Sequence, residues 1–203
     1  MASRKSLKIL GISGSLRHGS SNSGLIRSAA ASAARLNQST QDYHINFQIY
    51  QRLKDIPLYD GDVEAKAMPE SVVHFCQAIA EADALLIATP EYNYSVSGVL
   101  KNAIDWASRP YRRTPLTGKP VAILGAGGVS GTSRAQYHLR QVLLDVAMPV
   151  LPKPEVMVNF FAPGKFDATT GELLDKQVKG EIERQLRALA VWTATLRGWT
   201  PTM

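Results

Sequence analysis

Residues 7–22 read LKILGISGSLRHGSSN. The first part, Leu7–Ser13, is a short apolar run followed by a turn-forming segment, which is typical of a buried β-strand. After Asn22, an Ala-rich segment carries apolar residues three and four positions apart, which predicts a helix. A strand, a Gly/Ser-rich loop and a helix in this order are how a parallel α/β sheet begins.

The alternation of strand and helix continues along the chain. Further strands are predicted at His44–Tyr50, Ala84–Thr89, Pro120–Ala126 and, in a short form broken by prolines, within Met148–Val158. Helices are predicted at Pro69–Ala82, Ser97–Ser108, Thr132–Val146 and Glu172–Leu196, and residues 52–64 are expected to be irregular. Apolar strands need cover on both faces, so we predict an α/β fold with a doubly wound parallel sheet. Five strands favour the flavodoxin-like order 2-1-3-4-5 over a six-stranded dinucleotide fold.

Composition limits the possible classes of protein. The chain has 203 residues and 22.1 kDa, of which 45% are hydrophobic, and we expect one domain over residues 1–203. One cysteine, Cys76, excludes an internal disulfide and a multi-cysteine metal site, and we predict it as a buried helix residue without a redox role. The apolar runs are too short for a membrane span or a signal peptide, so a cytoplasmic protein with no membrane association is expected.

The charge balance points to an anionic ligand. There are 23 Lys and Arg residues against 17 Asp and Glu, a formal charge of +6. The basic residues are scattered, and the densest cluster, Arg109–Arg113, is predicted as a surface loop. No recognition helix or aromatic-interleaved basic stripe accompanies the charge, so nucleic-acid binding is not expected.

In a doubly wound sheet the ligand binds at the carboxyl ends of the strands, where three loops are predicted. The first, Ser13–Asn22, offers serine hydroxyls, the Arg17 guanidinium and the N-terminus of a helix, which together suit a phosphate. The alternative is an ordinary helix cap with a solvated arginine. No Walker lysine is present, so nucleoside triphosphate hydrolysis is not expected.

The other two loops suit a flat ring. Pro90–Ser97 carries PEYN at the tip of a strand, with polar groups for the edge of a heteroaromatic ring and aromatic surface for its face. In Gly125–Ser133, glycines would let backbone amides approach the ring, and their spacing does not match an NAD fingerprint. The alternatives are a hydrogen-bonded turn with packed tyrosines and a flexible glycine turn.

The three loops carry a family resemblance. GSLR at 14–17 with Ser20 and Asn22, PEYN at 90–93 with LKNAIDW at 100–106, and GA at 125–126 with RAQ at 134–136 stand in order between Leu7 and Leu143. In this the chain resembles the NADPH-dependent FMN reductase family of flavodoxin-like enzymes, which includes quinone, chromate and azo-dye reductases. It departs from the family pattern in the third loop, which is one residue shorter and has Gly127 where a serine is usual.

The resemblance implies an FMN-dependent oxidoreductase that passes electrons from NADPH or NADH to quinones or other small-molecule acceptors, namely chromate, azo compounds or free flavin. The cycle would be ping-pong, with no catalytic acid–base side chain and no metal. Its implied FMN contacts come from all three loops: Ser15, Leu16, Arg17, Ser20, Asn22, Pro90, Glu91, Tyr92, Asn93, Gly127 and Gly128. The alternatives are an FMN-binding electron carrier without NAD(P)H turnover and a regulatory module that has lost the flavin.

The resemblance also implies a homodimer or homotetramer. The helix with Trp106 and the helix with Tyr137 and His138 are candidates for subunit contacts. The alternative is that both helices only cover the sheet.

Overall fold

The computed structural model describes residues 5–40, 42–109 and 113–198. Its strands form one parallel sheet of five in the order β2-β1-β3-β4-β5. The strands are β1 (Lys5–Ser13), β2 (Tyr43–Tyr50), β3 (Ala84–Ala88), β4 (Val121–Gly127) and β5 (Val156–Asn159). The predicted fold class and strand order are therefore confirmed.

Helices cover both faces of the sheet. They are α1 (Ser21–Ser39), α2 (Gly61–Lys66), α3 (Glu70–Glu81), α4 (Gly98–Ala107), α5 (Ser133–Asp145) and α6 (Lys176–Leu196). Side chains of a strand alternate between its two faces, so each strand contributes to two cores. Leu7 and Ile9 pack with α1 and α6, whereas Leu10 and Ile12 pack with α3, α4 and α5.

Several predicted boundaries were wrong for local reasons. Residues 52–64, predicted as irregular, contain a short 3-10 turn at Leu53–Asp55 and helix α2, which starts where the Asp60 side chain accepts the Asp62 N–H at 2.8 Å. No residue of α2 is buried, so no apolar periodicity marks it. Helix α6 starts at Lys176 rather than Glu172, because Asp175 caps it by accepting the Val178 N–H at 2.8 Å.

Two further expectations concern single residues. Trp106 is fully buried within the protein, and its indole N–H donates to the Pro57 carbonyl at 2.9 Å. This side chain packs in the core, and a subunit contact made by the other face of its helix stays a prediction. Cys76 lies in α3 and is partly buried, and this burial raises the pKa of its thiol, which keeps it protonated at neutral pH.

Two other expectations concern segments of the chain. Residues 110–112 of the predicted basic loop Arg109–Arg113 lie outside the described residues. Within the described ranges, no helix combines the length and the apolar composition that crossing a bilayer requires.

Candidate functional site

The loop between β1 and α1 offers donors for an anion. Ser20 caps α1, and its Oγ accepts the Ser23 N–H at 3.4 Å. In the described part of the chain no acceptor is bonded to the backbone N–H groups of Ser21 and Asn22, and no acidic residue stands in the first turn of the helix. These free N–H groups at the positive end of the helix dipole form an anion-binding position.

Arg17 lies beside this position. Its side chain is exposed, and within the described ranges no carboxylate forms an ion pair with its guanidinium. The loop that carries it is held from within, because the Ser15 Oγ accepts the Arg17 N–H at 3.4 Å and the Arg17 carbonyl accepts the Ser20 N–H at 3.1 Å. An arginine without a carboxylate partner is available to bind a phosphate with two parallel hydrogen bonds.

The same loop is fixed to the neighbouring strands. The Gly14 N–H donates to the Ala88 carbonyl at the end of β3 at 2.8 Å, and the Ser97 hydroxyl donates to the Gly14 carbonyl at 2.7 Å. The buried Asn22 side chain spans to β4, donating to the Ala126 carbonyl and accepting the Ala126 N–H, both at 2.9 Å. The side-chain amide of Asn22 is thus committed to joining the first and third loops.

The second loop is a tight two-residue turn. Tyr92 and Ser95 exchange backbone hydrogen bonds at 2.9 and 3.0 Å, and both residues between them have positive φ, 48° at Asn93 and 67° at Tyr94. This is the geometry of a type I′ hairpin, which is unfavourable for a tyrosine at its second position. The Arg134 guanidinium lies 3.9 Å from the centroid of the Tyr94 ring, a cation–π contact that helps to hold the turn.

Glu91 joins this turn to α5. Its carboxylate accepts hydrogen bonds from the Arg134 side chain at 2.7 Å, from the Arg134 N–H at 3.1 Å and from the Ala135 N–H at 3.2 Å. Burial alone would raise the pKa of Glu91, but these hydrogen bonds and the Arg134 charge lower it below the ordinary value. Glu91 is therefore held as an ion-paired carboxylate that positions the start of α5.

The third loop allows close backbone packing. A Cβ on Gly127 would lie 2.4 Å from the Gly131 carbonyl oxygen, and Gly128 and Gly131 pair across the turn through a hydrogen bond of 2.8 Å. A side chain at position 127 would force this turn to open. This tight turn therefore requires a glycine at position 127, where the family that the sequence resembles usually has a serine.

The three loops meet around one cavity of about 310 Å³ at the carboxyl edge of the sheet. Nine of the eleven predicted contact residues line it: Ser15, Arg17, Ser20, Asn22, Pro90, Glu91, Tyr92, Gly127 and Gly128. Leu16 and Asn93 do not line it and are both exposed.

Sequence reasoning missed four residues that line this cavity, which are Ser21, Ala126, Phe160 and Phe161. Ser21 and Ala126 adjoin predicted residues in the chain. The two phenylalanines follow β5 directly, and the carboxyl end of every parallel strand faces the same edge. The rule predicts cavity residues after β5, but β5 has only four residues that follow three prolines, so its end could not be located from the sequence.

The cavity fits the phosphate and the flat ring of FMN. At one side it has the free N–H groups of Ser21 and Asn22 and the unpaired Arg17, and its single carboxylate, Glu91, is neutralised by Arg134. At the other side it has Tyr92, Phe160 and the backbone of the glycine turn, with the more exposed Phe161 further out at its mouth. A donor-rich pole and an aromatic pole are what a phosphorylated heteroaromatic molecule requires.

The fold and this cavity define a flavin-dependent oxidoreductase of the flavodoxin-like class. The sequence model of one protein family, described as NADPH-dependent FMN reductase, matches residues 7–163 of the chain. The chain belongs to that family, and its members are enzymes that use NAD(P)H and FMN. This membership favours a NAD(P)H-driven reductase over a plain electron carrier and confirms the resemblance found in the sequence.

Individual relatives agree with the family. An NAD(P)H-dependent FMN reductase of Pseudomonas aeruginosa is 49% identical over 95% of this chain and 98% of the relative. A quinone reductase of Escherichia coli is 41% identical over 90% of this chain and 93% of the relative. Among solved structures, a flavoenzyme NAD(P)H:(acceptor) oxidoreductase from Paracoccus denitrificans superimposes with a TM-score of 0.79 at 33% identity, covering 93% of this chain and 98% of that one.

Proposed function

We propose that this protein binds FMN in the cavity at the carboxyl edge of the sheet and passes electrons from NADPH or NADH to a quinone. The strongest support is that Arg17, which has no carboxylate partner in the described structure, lies beside the free N–H groups of Ser21 and Asn22 and near an aromatic wall. A bound FMN supplies the redox chemistry, and the protein binds, orients and shields it.

Each loop has a separate part in this proposal. Arg17, the hydroxyls of Ser15 and Ser20 and the backbone of Ser21 and Asn22 bind the phosphate. The Asn22 side chain acts indirectly, because its bonds to Ala126 hold the first loop against the third. In the same way Glu91 keeps the second loop in register with α5 through Arg134.

The ring of FMN has its own set of proposed contacts. Pro90 and Tyr92 face it from the second loop, and the backbone of Gly127 and Gly128 meets its edge from the third. Leu16 and Asn93 remain proposed contacts. Because neither side chain reaches the cavity, their backbone groups or a shift on binding would have to supply them.

The identity of the electron acceptor is proposed from the side chains around the cavity and from the activities of relatives. Quinone reduction is supported by the Escherichia coli relative, which is a quinone reductase, and by the aromatic side chains at the mouth of the cavity. Chromate, azo compounds and free flavin are further proposed acceptors, because an electron donor with an open site is not restricted to one of them. Rates with a panel of these acceptors would rank them.

The domain organisation, cellular location and subunit number of the enzyme are also proposed. We infer one domain over residues 1–203, a cytoplasmic location, and a homodimer or homotetramer. The exposed side chains of Tyr137 and Leu144 on α5 support subunit contacts, because large apolar groups at a surface favour burial against a partner. Sedimentation analysis of the purified protein would give the number of subunits.

The proposed function is tested by the colour and turnover of the purified protein. We expect it to retain or bind FMN, to be bleached by NADPH in a stopped-flow experiment without any partner protein, and to oxidise NADPH continuously when a quinone is added. FMN that stays oxidised with both NADPH and NADH would instead establish an electron carrier. A protein that refuses FMN would overturn the proposal.

A further inference from the structure

Phe161 is an exposed aromatic side chain at the mouth of the cavity. It is 71% exposed, compared with 39% for Phe160 and 54% for Tyr92, the other aromatic side chains of the cavity lining. Its ring lies 4.0 Å from the position that a Cβ on Gly128 would occupy, so it stands directly against the third loop. Val129, in the same turn, is also 79% exposed. The mouth is therefore apolar on this side.

The position of Phe161 is fixed by backbone hydrogen bonds and by the ring of Phe160. The Phe160 N–H donates to the Gly127 carbonyl at 2.7 Å, and the Phe161 N–H donates to the Asn159 Oδ1 at 2.9 Å. The rings of Phe160 and Phe161 meet edge to face with centroids 5.5 Å apart, and Phe160 packs in turn on Phe166. A ring that is anchored by its backbone and neighbour while its outer face stays in water is pre-organised to receive a ligand.

The burial gradient separates two kinds of ligand. Ser20 and Asn22, at the start of α1 where the phosphate is proposed to bind, are only 2% and 3% exposed. Phe161 lies at the solvent side, where an exchanging molecule enters and leaves. Among the described residues that line the cavity, Glu91 is the one carboxylate and is paired with Arg134, so no unpaired carboxylate repels a planar, electron-poor molecule with carbonyl or anionic groups at the entrance.

We propose that Phe161 is a specificity-determining residue, the wall against which a planar quinone acceptor stacks. This inference rests on the proposed function, since it needs FMN in the cavity. It predicts a preference for flat aromatic acceptors over acceptors that cannot stack. Aromatic stacking of this kind changes affinity by about three- to tenfold.

The test measures binding as well as turnover. The oxidised, FMN-loaded protein is titrated calorimetrically with a sulfonated anthraquinone in the absence of NADPH. We expect Phe161→Ala to weaken quinone binding about three- to tenfold, Phe161→Tyr to restore it, and the dissociation constant of FMN to change less than about twofold. Turnover with ferricyanide, which does not stack, is expected to be unchanged. Leu58→Ala, a truncation of an 85% exposed side chain outside the cavity, is the matched control.

Three results would overturn the inference. They are an unchanged quinone affinity in Phe161→Ala, an equal loss of FMN affinity, which would make Phe161 a flavin contact, and a change in subunit number by sedimentation, which would make it an interface residue. The proposed function fails separately, because it is lost only if the wild type binds no FMN or does not use NAD(P)H.

Discussion

Arg17 carries the largest share of the proposed phosphate binding. Its guanidinium is free of carboxylates in the described structure, and it lies beside the N-terminus of α1. A charge-assisted pair of hydrogen bonds contributes about 1.5–3 kcal/mol, so Arg17→Ala should weaken FMN binding roughly 10- to 100-fold. The loss should be larger at low salt, because salt screens the interaction. Fluorescence titration with FMN measures both.

A matched arginine is available for comparison. Arg184 is an exposed arginine on α6 that does not line the cavity, and Arg184→Ala should bind FMN as the wild type does. Equal losses in the two variants would mean that only overall charge matters, and the phosphate site would have to be placed elsewhere.

The lowered pKa of Glu91 predicts how the stability of the protein depends on pH. Because its pKa in the folded protein is depressed, its contribution to stability is present above the ordinary value of about 4.5 and is lost as pH falls through the lower folded value. Glu91→Gln should therefore lower the free energy of unfolding at pH 7 by about 1–3 kcal/mol, and the difference from wild type should shrink below about pH 4.5. Urea unfolding at several pH values measures it.

The exposed Glu172 provides the control, since Glu172→Gln removes a carboxylate that makes no such bonds to the start of α5. A Glu91→Gln deficit that stays constant from pH 7 to pH 3 would show that the ion pair with Arg134 is not its source.

At the scale of elements, the position of α1 depends on its contact with a hairpin formed by residues 165–175. Phe166 pairs with Leu173 in this hairpin, and its tip packs against the phosphate loop. A Cβ on Gly24 would lie 1.8 Å from the Gly171 carbonyl oxygen, and one on Gly19 would lie 2.3 Å from the Thr169 carbonyl oxygen. The glycines let the hairpin press the N-terminus of α1 into place.

Two helical glycines should respond in opposite directions to the same substitution. Gly24→Ala should lower the free energy of unfolding by about 1–3 kcal/mol and weaken FMN binding, because the hairpin must move away. Gly180→Ala in α6 meets only the end of the Arg184 side chain, at 3.9 Å, and should stabilise the protein by up to about 1 kcal/mol. Thermal unfolding of both variants measures this. Similar shifts in both would show that the contact between α1 and the hairpin is not tight.

The elements also show how far the sequence predicts the site. The apolar residues of β1, β3 and β4 are buried, so each strand could be recognised locally, and each places its following loop at the same edge. β5 has only four residues after three prolines, so its end and the phenylalanines behind it could not be located. The bond between Glu91 and Arg134 joins residues 43 positions apart, which no local pattern encodes.

At the scale of the whole molecule, FMN should stabilise the fold by mass action. FMN at about 100 times its dissociation constant adds about 2.7 kcal/mol, which corresponds to a rise in Tm of roughly 5–10 °C for a domain of this size. Riboflavin has the same ring without the phosphate and should give a much smaller rise. Differential scanning calorimetry with each ligand measures the two shifts, and equal shifts would contradict a phosphate site at α1.

The most direct measurement is a crystal structure of the protein with FMN. We expect the phosphate at the N-terminus of α1, within hydrogen-bonding distance of the Arg17 guanidinium and the Ser21 and Asn22 N–H groups. The ring should lie between the loops that follow β3 and β4. FMN bound elsewhere, or a phosphate that does not contact α1 while Arg17 points into solvent, would contradict the account.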